Sequence, residues 1–196
     1  ATAAAAAPDS APLFYGAVSL YLRHRCAWLR RLPRAWFAPL DAWPVLRLAA
    51  RFAGSTQAAG LEDLTLSMLQ GPAGRQAEEL RAVADWIAAL PADEKPGAVI
   101  LSNALLAGMA AALKNAAGCP VFCWLQDEHV WTDAMPPAAR AATLDAMRQQ
   151  AASIDGFFAV SRHYAAHMAE LIALPLEKIR VVYPGIDAAS YARANV

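Results

Sequence analysis

Cysteine is scarce in this chain and badly placed for crosslinking. Cys26, Cys119 and Cys123 are an odd number, no two stand in C-x-x-C spacing, and no histidine follows at zinc-finger spacing. A disulfide framework and a cysteine-based zinc site are therefore excluded, and three buried, reduced thiols are expected. Long apolar runs are missing too: arginine or aspartate interrupts every candidate, well short of the roughly 18 apolar residues a bilayer-spanning helix needs. No G-x-G-x-x-G follows a strand pattern, Gly71-Pro72-Ala73-Gly74-Arg75 lacks the Lys-Ser/Thr ending of a P-loop, and no G-x-S-x-G occurs. The nicotinamide or flavin enzyme, NTPase and α/β-hydrolase readings fall with them. There is no excess of either charge, with 17 Lys+Arg against 17 Asp+Glu. With no recognised nucleic-acid module either, no nucleic-acid partner is expected. Residues 1–7 have neither a basic start nor a long apolar core, so they are not a secretory leader, and 1–13 read as a flexible tail.

What remains is 196 residues, 58% hydrophobic, enough for a single domain over 14–196 with a sizeable core. The neutral total hides a division. Residues 1–54 carry seven arginines (Arg23, Arg25, Arg30, Arg31, Arg34, Arg47, Arg51) against Asp9 and Asp41, a balance of +5 that leaves −5 for residues 55–196. The segment at about 21–51 also holds Tyr21, Trp28, Trp36, Phe37 and Trp43, and Pro33, Pro39 and Pro44 cut it into short amphipathic helices. Arginine interleaved with tryptophan is a membrane-interface composition, so an anionic membrane surface is one expected partner. The plainer reading packs the tryptophans inward and leaves the arginines solvated.

From residue 61 the pattern changes. Short β-rich runs at about 64–69, 98–103, 121–126, 157–160 and 179–183 alternate with helical stretches at about 74–90, 104–117, 137–152 and 162–173. Strand and helix in repeated alternation predict an α/β fold, a Rossmann-like parallel sheet with helices on both faces, preceded by extra N-terminal helices. Pro91, Pro96, Pro120 and Pro175 stop helices, and Asp155-Gly156 turns the chain into the fourth run.

In such a sheet ligands gather at the carboxyl ends of the strands. That rule selects Ser102-Asn103, Gln126-Asp127-Glu128-His129, Ser161-Arg162 and Pro184-Gly185-Ile186-Asp187, each polar or glycine-bearing directly after an apolar run. Singly, each has a plainer reading: Asn103 and Ser161 are good helix caps and Pro184-Gly185 is a turn. The richest is Gln126 to Trp131, where two carboxylates, an imidazole and an amide suit general acid/base chemistry or the binding of sugar hydroxyls, though a solvated loop with a cap is also consistent. His163 and His167 lie four apart on a helix, but with no third ligand they read as surface histidines rather than a metal site.

Two stretches resemble a known family. Ala159-Val160-Ser161-Arg162-His163-Tyr164-Ala165-Ala166-His167-Met168, followed by Pro175-Leu176-Glu177-Lys178-Ile179-Arg180-Val181-Val182-Tyr183-Pro184-Gly185-Ile186-Asp187, resembles the AVSxxxxxxM and PxxKIxVVxxGID stretch of retaining glycosyltransferases of group 1, family four. Phe14-Tyr15-Gly16-Ala17-Val18-Ser19-Leu20-Tyr21-Leu22 is similar to that family's glycine loop, GGVxxYL, with Ala17 in place of the second glycine.

The resemblance implies one half of a two-domain GT-B fold, the N-terminal, acceptor-side half. It implies retaining transfer of a sugar from a nucleotide-sugar to a hydroxyl acceptor, saccharide or lipid-linked, with no metal or other cofactor. Gln126, Asp127 and Glu128 are then the expected catalytic group, and Gly16, Asn103, His129, Ser161, Arg162 and Gly185 the expected substrate-binding residues. Gln126 stands where relatives often offer a histidine near the reacting sugar, and an amide there can hydrogen-bond but not take a proton. The family's pair of glutamates eight positions apart has no counterpart here, so an acceptor domain lacking the donor-binding half, inactive alone, is expected. A cytoplasmic location, peripheral at the inner face of the membrane, goes with that reading. The alternatives are a sugar-nucleotide epimerase or phosphorylase of the same architecture, or a non-enzymatic membrane-docking scaffold.

Overall fold

The computed structural model describes residues 61–185, together with 22, 23, 26, 28, 29, 32, 36, 37 and 39. The expectations for the tail at 1–13, for Gly16, for Ile186-Asp187 and for most of the basic segment lie outside the described residues.

Four strands form one parallel sheet in the order β1-β2-β3-β4: β1 Val99–Leu101, β2 Val121–Leu125, β3 Gly156–Ala159 and β4 Ile179–Val181. The helices are α1 Glu62–Leu69, α2 Ala77–Ala88, α3 Ala110–Ala117, α4 Glu128–Asp133, α5 Pro137–Ala151 and α6 Arg162–Leu171. Short 3-10 turns at Gly71–Ala73, Ala104–Met109 and Leu176–Lys178 complete the order. The fold class is the expected one, a Rossmann-like α/β half of a GT-B fold.

Burial alternates along the strands. Val121, Cys123 and Leu125 of β2 and Ala159 of β3 have no exposed surface and join Leu113, Met147, Phe157 and Met168 in the core. Phe122 and Trp124 point the other way and are half-buried, stacked in tilted contact with Phe158 at ring separations of 5.5 and 5.4 Å. The thiols are free, but only Cys123 is buried; Cys26 and Cys119 are intermediate, so the expectation of three buried thiols holds for one. Burial, with Glu128 nearby, pushes the Cys123 thiol far up, so it stays protonated and unreactive.

One expected strand is a helix. Residues 64–69 lie in α1, whose first turn carries Glu62 and Asp63, a charge placement that suits a helix N-terminus. The Thr65 hydroxyl bonds back to the Leu61 carbonyl at 3.0 Å, a contact only a helical turn allows. A short apolar run fits either period, and here the acidic start and the packing of α1 on α5 decide it.

Backbones meet closely where α1 ends. Gly71 adopts φ +55°, and a Cβ on it would lie 2.2 Å from the Gly108 carbonyl oxygen. A Cβ on Gly108 would lie 2.3 Å from the Met68 oxygen and 2.5 Å from the Leu69 oxygen. The glycine-bearing stretch that resembles a failed P-loop is thus a packing joint between α1 and the 3-10 turn after β1.

Asp155 pins the start of β2. Its carboxylate accepts from the Val121 N–H at 2.8 Å and from Lys114 Nζ at 2.6 Å. The Lys114 ammonium first, and the Val121 N–H second, hold its carboxyl below the usual carboxylate range. A lowered folded-state value contributes stability that is present above about pH 4, the unfolded carboxylate range, and is lost as pH falls toward the folded value. Stability measured by denaturant titration should therefore fall on that acid limb, and Asp155→Asn should flatten this part of the fall. The effect is small because the pair is partly solvated.

The described residues of the basic segment divide by exposure. Arg23 does not join a solvated patch: it is buried and paired with Glu78 and Glu79 in the first turn of α2, with its guanidinium over the Phe37 ring at 5.8 Å. Trp28 and Trp36 are exposed at 65% and 69%, whereas Phe37 is buried.

Candidate active site

The parallel register aligns the strand ends. Leu125 pairs with Ala159, and Ala159 with Val181, so the segments that follow β2, β3 and β4 leave the sheet on one rim, and the segment after Leu101 of β1 joins them. Three of the four expected spots are joined there, Ser102 and Gln126 by a direct bond and Ser161 through Tyr164.

Glu128 is the joint. It begins α4 and is only 2% exposed. Its Oε1 accepts from the Ala104 N–H at 2.8 Å, and its Oε2 accepts from the Gln126 N–H at 2.7 Å and from the Tyr164 hydroxyl at 2.6 Å. The Tyr164 oxygen in turn accepts from the Glu128 N–H at 2.8 Å. One carboxylate thus ties the turn after β1, the loop after β2 and helix α6 together, and its buried oxygens are met by three donors. Burial, then the Glu128 bond and its charge, pushes the Tyr164 phenol far above its ordinary value, so its proton stays on.

The neighbours are set by the same geometry. Asp127, between the two bonded residues, takes φ 61°, a left-handed conformation that aspartate tolerates better than most, and its side chain is exposed. The exposed Gln126 side chain donates through Nε2 to the Ser102 carbonyl at 2.8 Å, leaving its amide oxygen as an acceptor. Asn103 Oδ1 caps the 3-10 turn through the Leu105 N–H at 3.1 Å, and Ser161 Oγ caps α6 through the Tyr164 N–H at 3.1 Å. Both therefore act as helix caps, the plainer of their two readings. Arg162 opens α6 and is exposed at the rim. Gly185 is exposed beyond β4 and makes no bond to the other three spots among the described residues.

His129 is half-buried against two rings, Tyr164 at 5.3 Å and His167 at 4.9 Å. His163 is exposed, whereas His167 is half-buried with its Nε2 buried, so the expectation of two surface histidines holds for one. No group of three metal-ligating side chains occurs among the described residues. Tyr164 and His167 were not among the expected site residues. The signal for Tyr164 was its place three residues after a capping serine, which turns it back toward the strand ends.

A parallel sheet whose capped, polar loops converge on one rim defines a Rossmann-like domain. Its particular kind follows from a family model. The chain belongs to the glycosyl transferase 4-like domain family, whose model matches residues 1–185, and is a group 1 glycosyltransferase N-terminal domain. No curated protein and no solved structure matches it.

Proposed function

We propose that this domain binds the hydroxyl acceptor in a retaining glycosyltransferase, which moves a hexosyl group from a nucleotide-sugar with no metal or other cofactor. The observation that carries this reading is the rim: Glu128 fixes three strand-end loops while Gln126, Asp127 and Arg162 remain exposed there. In this reading the roles within the catalytic group differ. Glu128 is a positioning residue, since it is buried and three of its roughly four acceptor sites are already engaged. Asp127 accepts hydrogen bonds from sugar hydroxyls, the Gln126 amide oxygen does the same, and the leaving phosphate takes the acceptor's proton. Arg162 offers its fork to a phosphate or an anionic acceptor. Asn103 and Ser161 hold the loops by capping, and Gly16 and Gly185 let a diphosphate approach the backbone closely.

A donor screen on the full-length gene product tests this, with transfer of labelled sugar as the readout. Transfer from a nucleotide-sugar to a hydroxyl compound supports it. Epimerised or phosphorolysed product, with no transfer, supports the other activities of the same architecture instead.

We further propose that the Trp-bearing segment docks on an anionic membrane at the cytoplasmic face, where a lipid-linked acceptor is reached. Exposed Trp28 and Trp36 support this. Each arginine near such a surface contributes about 1 kcal/mol, weakened by salt. Co-sedimentation with phosphatidylserine vesicles should fall at high salt and fall several-fold in Trp28→Ala/Trp36→Ala. Partition unchanged by either would leave a soluble acceptor as the reading.

A further inference from the structure

The hydrogen-bond inventory around Tyr164 fixes which nitrogen of His129 carries the proton. A phenol has one hydrogen and two acceptor lone pairs. The hydrogen of Tyr164 is committed to Glu128 Oε2 at 2.6 Å, the shortest contact the hydroxyl makes, to a carboxylate that two backbone N–H groups already surround. One lone pair takes the Glu128 N–H at 2.8 Å. The third contact is His129 Nδ1 at 3.4 Å, and only a lone pair is left on the phenol to meet it. Nδ1 must therefore be the donor. In a neutral imidazole that leaves Nε2 bare, as an acceptor.

We infer that Glu128 and Tyr164 set the Nδ1–H tautomer of His129, and that its Nε2 is the acceptor that holds a hydroxyl of the bound saccharide at this rim. Tyr164 is thus a positioning residue that acts through His129. The inference deepens the reading of the rim as a sugar site and rests on it for the ligand alone. The opposite tautomer would set the bare Nδ1 lone pair against a phenol lone pair, or draw the phenol hydrogen away from Glu128. The other imidazole of the cluster, His167, has its own Nε2 buried with no hydrogen-bond partner in the described structure and packs edge-on to His129. The two rings make no hydrogen bond to each other, so the free nitrogen of His129 is not consumed by its neighbour. An acceptor nitrogen on a half-exposed ring suits a hydroxyl, and it disfavours an anion, which has no proton to donate.

Long-range proton–nitrogen NMR of the chain labelled with nitrogen-15 in histidine, recorded at alkaline pH, reads the tautomer directly. The expected result is a protonated Nδ1 and a bare Nε2 for His129, reversed in Tyr164→Phe toward the Nε2–H form that an unconstrained imidazole prefers. A protonated Nε2 in the wild type, or no change in a folded Tyr164→Phe, overturns the inference whatever the transfer assay gives. If Tyr164→Phe does not fold, diethylpyrocarbonate decides on the wild type: an adduct on His129 Nε2 supports the assignment and an adduct on Nδ1 overturns it. Methyl α-D-glucopyranoside and inorganic phosphate then probe the ligand. A shift of His129 Nε2 with the glycoside and not with phosphate supports a hydroxyl ligand. A shift with phosphate alone, or with neither, overturns the ligand assignment while the tautomer stands.

Discussion

Glu128→Ala should cost about 4 kcal/mol of stability, because it orphans two buried donors and a part-buried one at once, and each unsatisfied group costs about 1–3 kcal/mol. The Ala104 N–H and the Gln126 N–H donate to Glu128, and the Tyr164 hydroxyl loses its 2.6 Å acceptor, with only His129 Nδ1 at 3.4 Å left beside it. Glu128→Gln should cost about half as much, since the amide oxygen still accepts while its NH2 turns a donor toward donors. Urea denaturation checks both. A loss below about 1 kcal/mol for the alanine variant would mean that the rim does not hang on this carboxylate.

The second large effect lies on the far side of the same turn. Gly108→Ala should cost about 3 kcal/mol, at the upper end for overpacking, since the added methyl would meet the backbone oxygens of Met68 and Leu69 rather than a side chain that can rotate away. Relief would require α1 to separate from the 3-10 turn whose first N–H Glu128 holds, so altered positions of Ala104 and Gln126 should accompany the loss. Gly97→Ala is the comparison, because nothing lies within 4 Å of its added Cβ. It should stay within about 0.5 kcal/mol of the wild type, and equal losses in the two variants would remove the steric explanation.

These two positions also mark where sequence reading stopped. The strands β1 to β4 were legible because each is a short apolar run closed by proline, glycine or a polar cap, and such local signals need no partner. The stretch at 64–69 misled because Leu64, Leu66 and Met68 alternate as in a strand, while the acidic first turn and the distant helix α5 decided otherwise. The rim was legible as a set of strand ends. The division of labour within it was not, since Glu128 looked like its exposed neighbour Asp127 until Tyr164, 36 residues on, closed over it. Arg23 is the same case: its charge was legible, but its partners Glu78 and Glu79 are 55 and 56 residues away. Tertiary contacts of that separation leave no period and no motif in the chain.

The proposed sugar site at the strand-end rim is tested most directly by transfer kinetics of Arg162→Ala in the full-length gene product, measured beside its thermal stability. Arg162 is exposed and opens α6, so its removal should leave the melting temperature unchanged. If the rim grips the substrates, kcat/KM should drop by about 10- to 100-fold, the loss of one charge-assisted contact of about 1.5–3 kcal/mol. Wild-type kcat/KM in a stable Arg162→Ala protein would contradict the placement of the site.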